Sequence, residues 1–363
     1  MAEPFKILTI VGARPQFVKA SVVSRALRNA PELTETLLHT GQHFDDGMSE
    51  VFFRELDIPE PKYNLGINGG LHGEMTGRML KAVEQVILTE KPDLVMVYGD
   101  TNSTLAGALV ASKLNVKIAH VEAGLRSFDM RMPEEINRIL TDRISDMLFC
   151  PTIAAVKNLE NEGIHTTDAN VILSGDVMFD SVLFNRRNAY LSPETVAQLP
   201  NPLGEFALCT VHRAENTDDG HKLTKIFSGL EEIHKTLPVI VLLHPRTRKR
   251  LESLELSPRV NIIEPVGYLE LLFLLDRCNI VLTDSGGLQK EAFFLGKACL
   301  TLRDNTEWTE LVEQGVNFLV GSESERIVQV FHKCLDLKLN FSISPYGDGT
   351  AADTIIDVLR ASM

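Results

Sequence analysis

The chain predicts an α/β protein made of two doubly wound, parallel-sheet domains that face a cleft. Three observations carry that expectation. Short apolar runs rich in Val, Ile and Leu recur, and runs apolar throughout suit strands covered on both faces. Longer helix-period segments separate them, which is the βαβ rhythm. That rhythm begins again in the second half, and 363 residues exceed what one compact core usually serves.

In chain order the first half offers KILTIVGA, TETLLHTG, DLVMVYGD, KIAHVEAG, MLFCPT and VILSGD. The second offers FALCTVHR, PVIVLLHP, VNIIEPVGY, IVLTDSGG, ACLTLRD and FLVG. The most loop-like stretch between them runs from Asn188 to Glu205, with the hinge expected near SGDVMFD. The domains are therefore expected to be Rossmann-like units over 1–175 and 176–345. The tail 346–363 is long enough to pack back on the first.

At 44% hydrophobic and 23% charged residues the composition is that of a soluble globular protein, without the long apolar run of a spanning helix. The opening MAEPFKILTIVGARP lacks a basic leader and a cleavage site, so a cytoplasmic location is expected. Cys150, Cys209, Cys278, Cys299 and Cys334 stand singly and read as small buried apolar residues. A net charge of −13 argues against nucleic-acid and anionic-membrane partners, so an anionic ligand needs a local basic cluster.

Ligands of open parallel sheets sit at the carboxyl ends of strands. Those ends carry Arg14, Asp100, Glu122, His212, His244, Ser285 and Gly286. In VGARPQFVKA the glycine spacing is neither a dinucleotide fingerprint nor a P-loop. Gly12 allows a tight strand exit, Pro15 suits a first helical turn, and Arg14 and Lys19 flank the helix amino end as an anion site, against the bland alternative of solvated charges. Asp100, Glu122 and Glu134 form a carboxylate set near Arg14 and Arg138. Pro133 opens a helix that should put Glu134 and Arg138 on one face. Glu135 is read as serving the helix dipole only, and Asp100 can alternatively be a cap for the next helix.

His212-Arg213 and His244, with Arg246, follow equivalent strands and suit phosphate or uracil. No metal is implied, since neither HExxH nor DxD occurs. Ser285, Gly286 and Gly287 open a helix whose free N–H groups suit a diphosphate, with Glu291 one turn on to accept from a ribose diol. A nucleophilic serine would need the GxSxG elbow, and TDSGGLQ lacks its first glycine.

GARPQFVK, TGQHFD, GDTNSTLAGALVA, HVEAGLRS, PEEINR, SGD, VHRAEN, HPR, TDSGGLQKEA and LRDNTE stand in one order and spacing. In this the chain resembles the non-hydrolysing UDP-N-acetylglucosamine 2-epimerases over nearly its whole length. The resemblance implies the GT-B fold, a homodimer, no cofactor, and conversion of a UDP-gluco sugar to its manno C2 epimer for surface polysaccharide. By position, Arg14, Lys19, Asp100, Glu122, Glu134, Arg138 and His212 look like the active-site set. His244, Ser285, Gly286, Gly287 and Glu291 look like the UDP set.

The chemistry needs such groups. Loss of UDP from C1 makes the C2 proton acidic, a base then leaves a 2-acetamidoglucal, and UDP adds back after reprotonation from the other face. Two faces need two proton-transfer groups; the residues do not say which of Asp100, Glu122 and Glu134 act. Arg14, Lys19, Arg138 and His212 would hold the charge growing on UDP. The family pattern is broken at Gln16, often Glu, and at Trp308, often Arg. GINGGLHGEMTGR lacks a glutamine-bearing segment tied to allosteric activation, which argues against that regulation. The short loop with Arg131 resembles the UDP-2,3-diacetamido-2,3-dideoxy-glucuronate subgroup, an extra Arg there being suited to the C6 carboxylate. Rival readings are a hydrolysing epimerase, a GT-B glycosyltransferase and a non-catalytic nucleotide-sugar binder.

Overall fold

The computed structural model describes residues 3–42, 55–164, 169–200 and 203–363. The chain divides into two compact units, Met1–Leu183 with Ser344–Met363, and Phe184–Ile343. The division falls inside the helix Val177–Asn185.

The first unit is built on a parallel sheet of β1 (Phe5–Val11), β2 (Leu33–His39), β3 (Tyr63–Asn64), β4 (Leu94–Tyr98), β5 (Lys117–Val121), β6 (Met147–Cys150) and β7 (Asn170–Leu173), in the order β3-β2-β1-β4-β5-β6-β7. The second has β8 (Ala207–Thr210), β9 (Val239–Leu242), β10 (Asn261–Ile263), β11 (Ile280–Thr283), β12 (Ala298–Thr301) and β13 (Asn317–Leu319), ordered β10-β9-β8-β11-β12-β13. Ile7 of β1 lies opposite Glu35 and Leu94, and Ala207 of β8 opposite Val239 and Ile280, all in parallel register. In both sheets the winding reverses beside this central strand. A crevice at the carboxyl ends of β1 and β4, and another at β8 and β11, follows from that order. β3, a two-residue strand at the sheet edge, has no apolar run and so leaves no periodic signal.

Strands β4, β6 and β9 are apolar throughout because both faces are covered; Leu94 to Tyr98 are all 0% exposed. Leu8, Ile10, Val95, Val97 and Ile118 join Val83 and Val86 of the helix His72–Glu90 in one core. Cys209, Val241, Leu282 and Leu300 join Ile226 and Leu230 of Gly220–His234 and Phe331 of Ser324–Asp336 in another. Each fully buried aliphatic side chain contributes about 1.5–3 kcal/mol, so each unit has its own driving force. All five cysteines are buried and free. Burial pushes the Cys278 and Cys299 thiols up to about 12, which makes them packing groups. The helix Ala351–Ala361 packs against Arg14–Arg28, and Arg360 reaches Glu32 at 2.5 Å. Among the described residues no helix is long and apolar enough to cross a membrane.

Candidate functional site

At the end of β1, Ala13 caps the helix Arg14–Arg28, with half-buried Arg14 as its first residue and Lys19 buried one turn on. Gln16 locks this exit to that of β4. Its side-chain oxygen accepts from the N–H groups of Gly12 and Ala13 at 2.8 and 3.0 Å, and its amide donates to Tyr98 O and Thr104 Oγ1 at 2.8 and 3.0 Å. Lys19 Nζ is ion-paired with Glu122 Oε2. Glu122 sits at φ 71°, a left-handed conformation costly for a residue with a Cβ. The N–H groups of Glu122 and Ala123 both donate to Phe149 O at 3.0 Å and hold it there. Gly99, at φ 61°, backs the pair: a Cβ there would come within 3.1 Å of Glu122 Oε2 and 3.3 Å of Lys19 Nζ.

Asp100 is half-buried, and its Oδ2 accepts from Arg138 Nη2 at 2.5 Å while its carbonyl accepts from Asn137 Nδ2 at 2.9 Å. It is not the cap of the helix Asn102–Lys113, because Thr101 performs that role by accepting from Thr104 N. The acidic pair departs from expectation. Glu134 is exposed, and it is Glu135 that is buried and accepts from Arg138 Nη1 at 2.8 Å. Glu135 also accepts from the N–H groups of Ser127 and Phe128 at 2.9 Å. Burial opposes its charge, but those two N–H groups and Arg138 outweigh it and hold the carboxyl below its ordinary range. Glu135 therefore anchors the Arg138 guanidinium rather than merely facing a dipole. The three-residue spacing made the contact that sequence reasoning gave to the four-residue one. Arg131 is exposed and paired with Asp129 at 2.7 Å. Gln42 accepts from Ser103 N and Oγ at 3.0 and 2.8 Å; His43, Phe44 and Asp45 of the same motif lie outside the described residues.

In the second unit the organising group is one the sequence reading passed over. Asp284, fully buried after β11, accepts from the N–H groups of His212 and Arg213 at 3.0 and 2.9 Å and from Asn216 Nδ2 at 3.1 Å. It ties the β8 exit to the glycine loop, and a carboxylate directly before Ser-Gly-Gly was its only signal. His244 caps the helix Pro245–Ser253, accepting from Arg246 N at 3.2 Å, and its ring lies 6.1 Å from that of His212. Arg246 is turned to Asp218 at 2.6 Å in an exposed pair, so it does not join the two histidines as expected.

Ser285 caps the helix Gly286–Phe294, its Oγ accepting from Leu288 N at 3.4 Å. Gly286 and Gly287 are the first helical residues, whose N–H groups have no acceptor within the helix. A Cβ on Gly286 would lie 2.5 Å from Glu307 Oε1, while the space over Gly287 is open. Glu307 is held by Arg303 at 3.0 Å and approached by Arg213 at 3.9 Å. Glu291 is buried one turn into the helix. Trp308 is only 4% exposed; its indole N–H donates to Gly286 O at 2.9 Å and its ring lies 4.1 Å beneath Lys290 Nζ. Trp308, where the family pattern often has Arg, braces the glycine helix. The second unit thus presents helix amides and imidazoles suited to an anion, and the first presents carboxylates beside fixed cations, suited to proton transfer.

The family model described as UDP-N-acetylglucosamine 2-epimerase matches residues 25–360. A UDP-2,3-diacetamido-2,3-dideoxy-D-glucuronate 2-epimerase of Pseudomonas aeruginosa is 57% identical over 355 residues, 98% of this chain and 99% of that one. The crystal structure of the Methanocaldococcus jannaschii UDP-GlcNAc 2-epimerase with UDP-GlcNAc and UDP matches at a TM-score of 0.90 and 45% identity, covering 98% of this chain and all of that one. That of the Neisseria meningitidis UDP-GlcNAc 2-epimerase bound to UDP-GlcNAc matches at 0.88 and 31%, with 98% and 100% covered. With paired carboxylates and a glycine helix at the strand ends and such matches over its whole length, the chain belongs to the UDP-N-acetylglucosamine 2-epimerase family.

Proposed function

We propose that this protein inverts C2 of a UDP-2-acetamido sugar by eliminating UDP and adding it back. The observation that carries the reading is the pair of contacts at neighbouring strand ends, Lys19 with Glu122 after β5 and Arg138 with Asp100 after β4. A carboxylate beside a fixed cation accepts a proton, returns it, and stays placed between the two events. In the forward step the C1–O bond breaks with its electron pair leaving on UDP, a carboxylate takes the C2 proton, and a C1–C2 double bond remains. Protonation of C2 from the other face and attack of a UDP oxygen on C1 close the cycle. Asp100, Glu122 and Glu134 are the proton-transfer candidates. Arg14, Lys19, Arg138 and His212 hold charge on UDP, and His244, Ser285, Gly286, Gly287 and Glu291 bind the nucleotide.

For the substrate, the UDP-2,3-diacetamido-glucuronate class is supported by the 57% identity to the Pseudomonas aeruginosa enzyme. Arg131 and Trp308 lend no support, since one is paired in an exposed loop and the other is packed inside. The protein is read as a cytoplasmic homodimer without cofactor, on the family resemblance. Incubation with each UDP-sugar in D₂O, followed by NMR, tests the reading. Deuterium at C2 in a UDP-linked manno product is expected. Free sugar with UDP would make it a hydrolase, sugar transfer a glycosyltransferase, and no exchange in either substrate would sink the proposal.

A further inference from the structure

We propose that His120 is a positioning residue for Asp100, a doubly protonated ring that joins the carboxylate of Asp142 to the carbonyl of Gly99. It rests on reading Asp100 as a proton-transfer group.

His120 lies on β5, fully buried, two residues before Glu122. Its Nδ1 is 2.7 Å from Asp142 Oδ1 and its Nε2 is 2.7 Å from Gly99 O. A backbone carbonyl only accepts. Asp142 is a carboxylate: burial opposes its charge, but the Arg126 guanidinium, donating to it at 2.7 Å, favours the ionised form and helps hold it below its ordinary range. Both ring nitrogens therefore face pure acceptors, and both bonds exist together only when each nitrogen carries a proton. A turned ring would set carbons against the same oxygens, so the conclusion does not depend on ring orientation.

The charge is balanced within the cluster. The other oxygen of Asp142 accepts from Arg126 Nη1 at 2.7 Å and Gly124 N at 3.1 Å. Arg126 grips Glu162 with Nε and Nη2 at 2.6 and 2.8 Å. Two cations thus meet two carboxylates, the condition under which buried charge is tolerated. The second bond satisfies the other buried ring nitrogen, as a buried imidazole requires, and what sets it apart is where it ends. That bond lands on the residue preceding Asp100, in a turn whose N–H is already held by Val121 O at 2.9 Å. With the Asp100 carbonyl bound to Asn137, the backbone on both sides of the Asp100 side chain is fixed.

Two conservative variants separate positioning from stability. In His120→Asn the amide can replace Nδ1 and keep Asp142 paired, but it falls short of Gly99. In His120→Gln the longer amide can reach Gly99, leaving Asp142 one donor short. We expect His120→Asn to melt closer to wild type yet lose about 100-fold in kcat with KM unchanged, the loss typical of a misplaced reacting group. His120→Gln should be less stable and more active than His120→Asn. Activity that follows melting temperature in both variants overturns the proposal. The ¹⁵N-histidine spectrum should show one ring with protons on both nitrogens that disappears in both variants; a single ring proton overturns it equally. Asp100→Asn is measured alongside: full turnover in that variant removes the acid–base reading of Asp100, while the ring protons still report on His120.

Discussion

Glu122 combines a left-handed backbone, a buried side chain and a lysine partner, a strained arrangement of the sort that folds keep where chemistry is done. Glu122→Gln preserves the shape and removes the charge. C2 deuterium exchange should vanish while UDP binding persists, and calorimetric loss of UDP binding would reduce Glu122 to a scaffold. Gln16 shows the reverse relation between family pattern and role. Gln16 stands where the resemblance implies a Glu, but here the amide donates to the Tyr98 carbonyl, and a carboxylate would face that oxygen. Gln16→Glu should destabilise the protein by about 1–3 kcal/mol in urea unfolding, the usual effect of a buried hydrogen bond replaced by repulsion. Trp308→Phe keeps the packing and removes the N–H that meets Gly286 O. A loss of about 0.5–1.5 kcal/mol in UDP affinity, read by titration with kcat little changed, is expected.

At the scale of elements, the helix Pro133–Ile144 sets much of the first unit's strand-end geometry, presenting Glu135, Asn137, Arg138 and Asp142 inward from one segment. The helix Ala351–Ala361 is anchored differently. Asp180 accepts from Ala352 N at 2.8 Å, and burial raises its carboxyl to about 6 despite the Ala352 and Ala351 N–H groups, with Asp176 and Asp353 adding to the rise. Its folded pKa lies above its ordinary 3.8, so its stabilising contribution is whole below that value and is lost as pH rises through about 6. Between pH 5 and 7.5 the wild type should lose about 1.4 kcal/mol from this group, the linkage integral for such a shift. Asp180→Asn keeps an acceptor for Ala352 and should lack that slope in urea unfolding at the two pH values; an unchanged slope would assign it to another group.

At the scale of the molecule, each unit carries its own sheet and its own core, so ligand linkage can be read unit by unit. If the Phe184–Ile343 unit binds the nucleotide, UDP at 100 times its Kd stabilises it by about 2.7 kcal/mol. For a unit of this size that corresponds to a rise of about 5–10 °C in its melting transition. Hydrogen exchange should slow first in β8, β11 and the helix Gly286–Phe294; slowing confined to the first unit would move the nucleotide there.

The sequence by itself determined what is local. Apolar runs buried on both faces announce parallel strands, and the sequence alone places Asp100, Glu122, His212 and Ser285 just past the ends of β4, β5, β8 and β11. The edge strand Tyr63–Asn64 was not, since two residues make no period. Only the tertiary structure decided which charges meet. Arg138 chose Glu135 over Glu134 through side-chain direction, Trp308 turned inward to Gly286, and His120, Asp142 and Asp284 proved to be the buried posts that hold the strand ends. Pairing of buried charges depends on desolvation and on contacts between residues far apart in the chain, and neither is written in spacing.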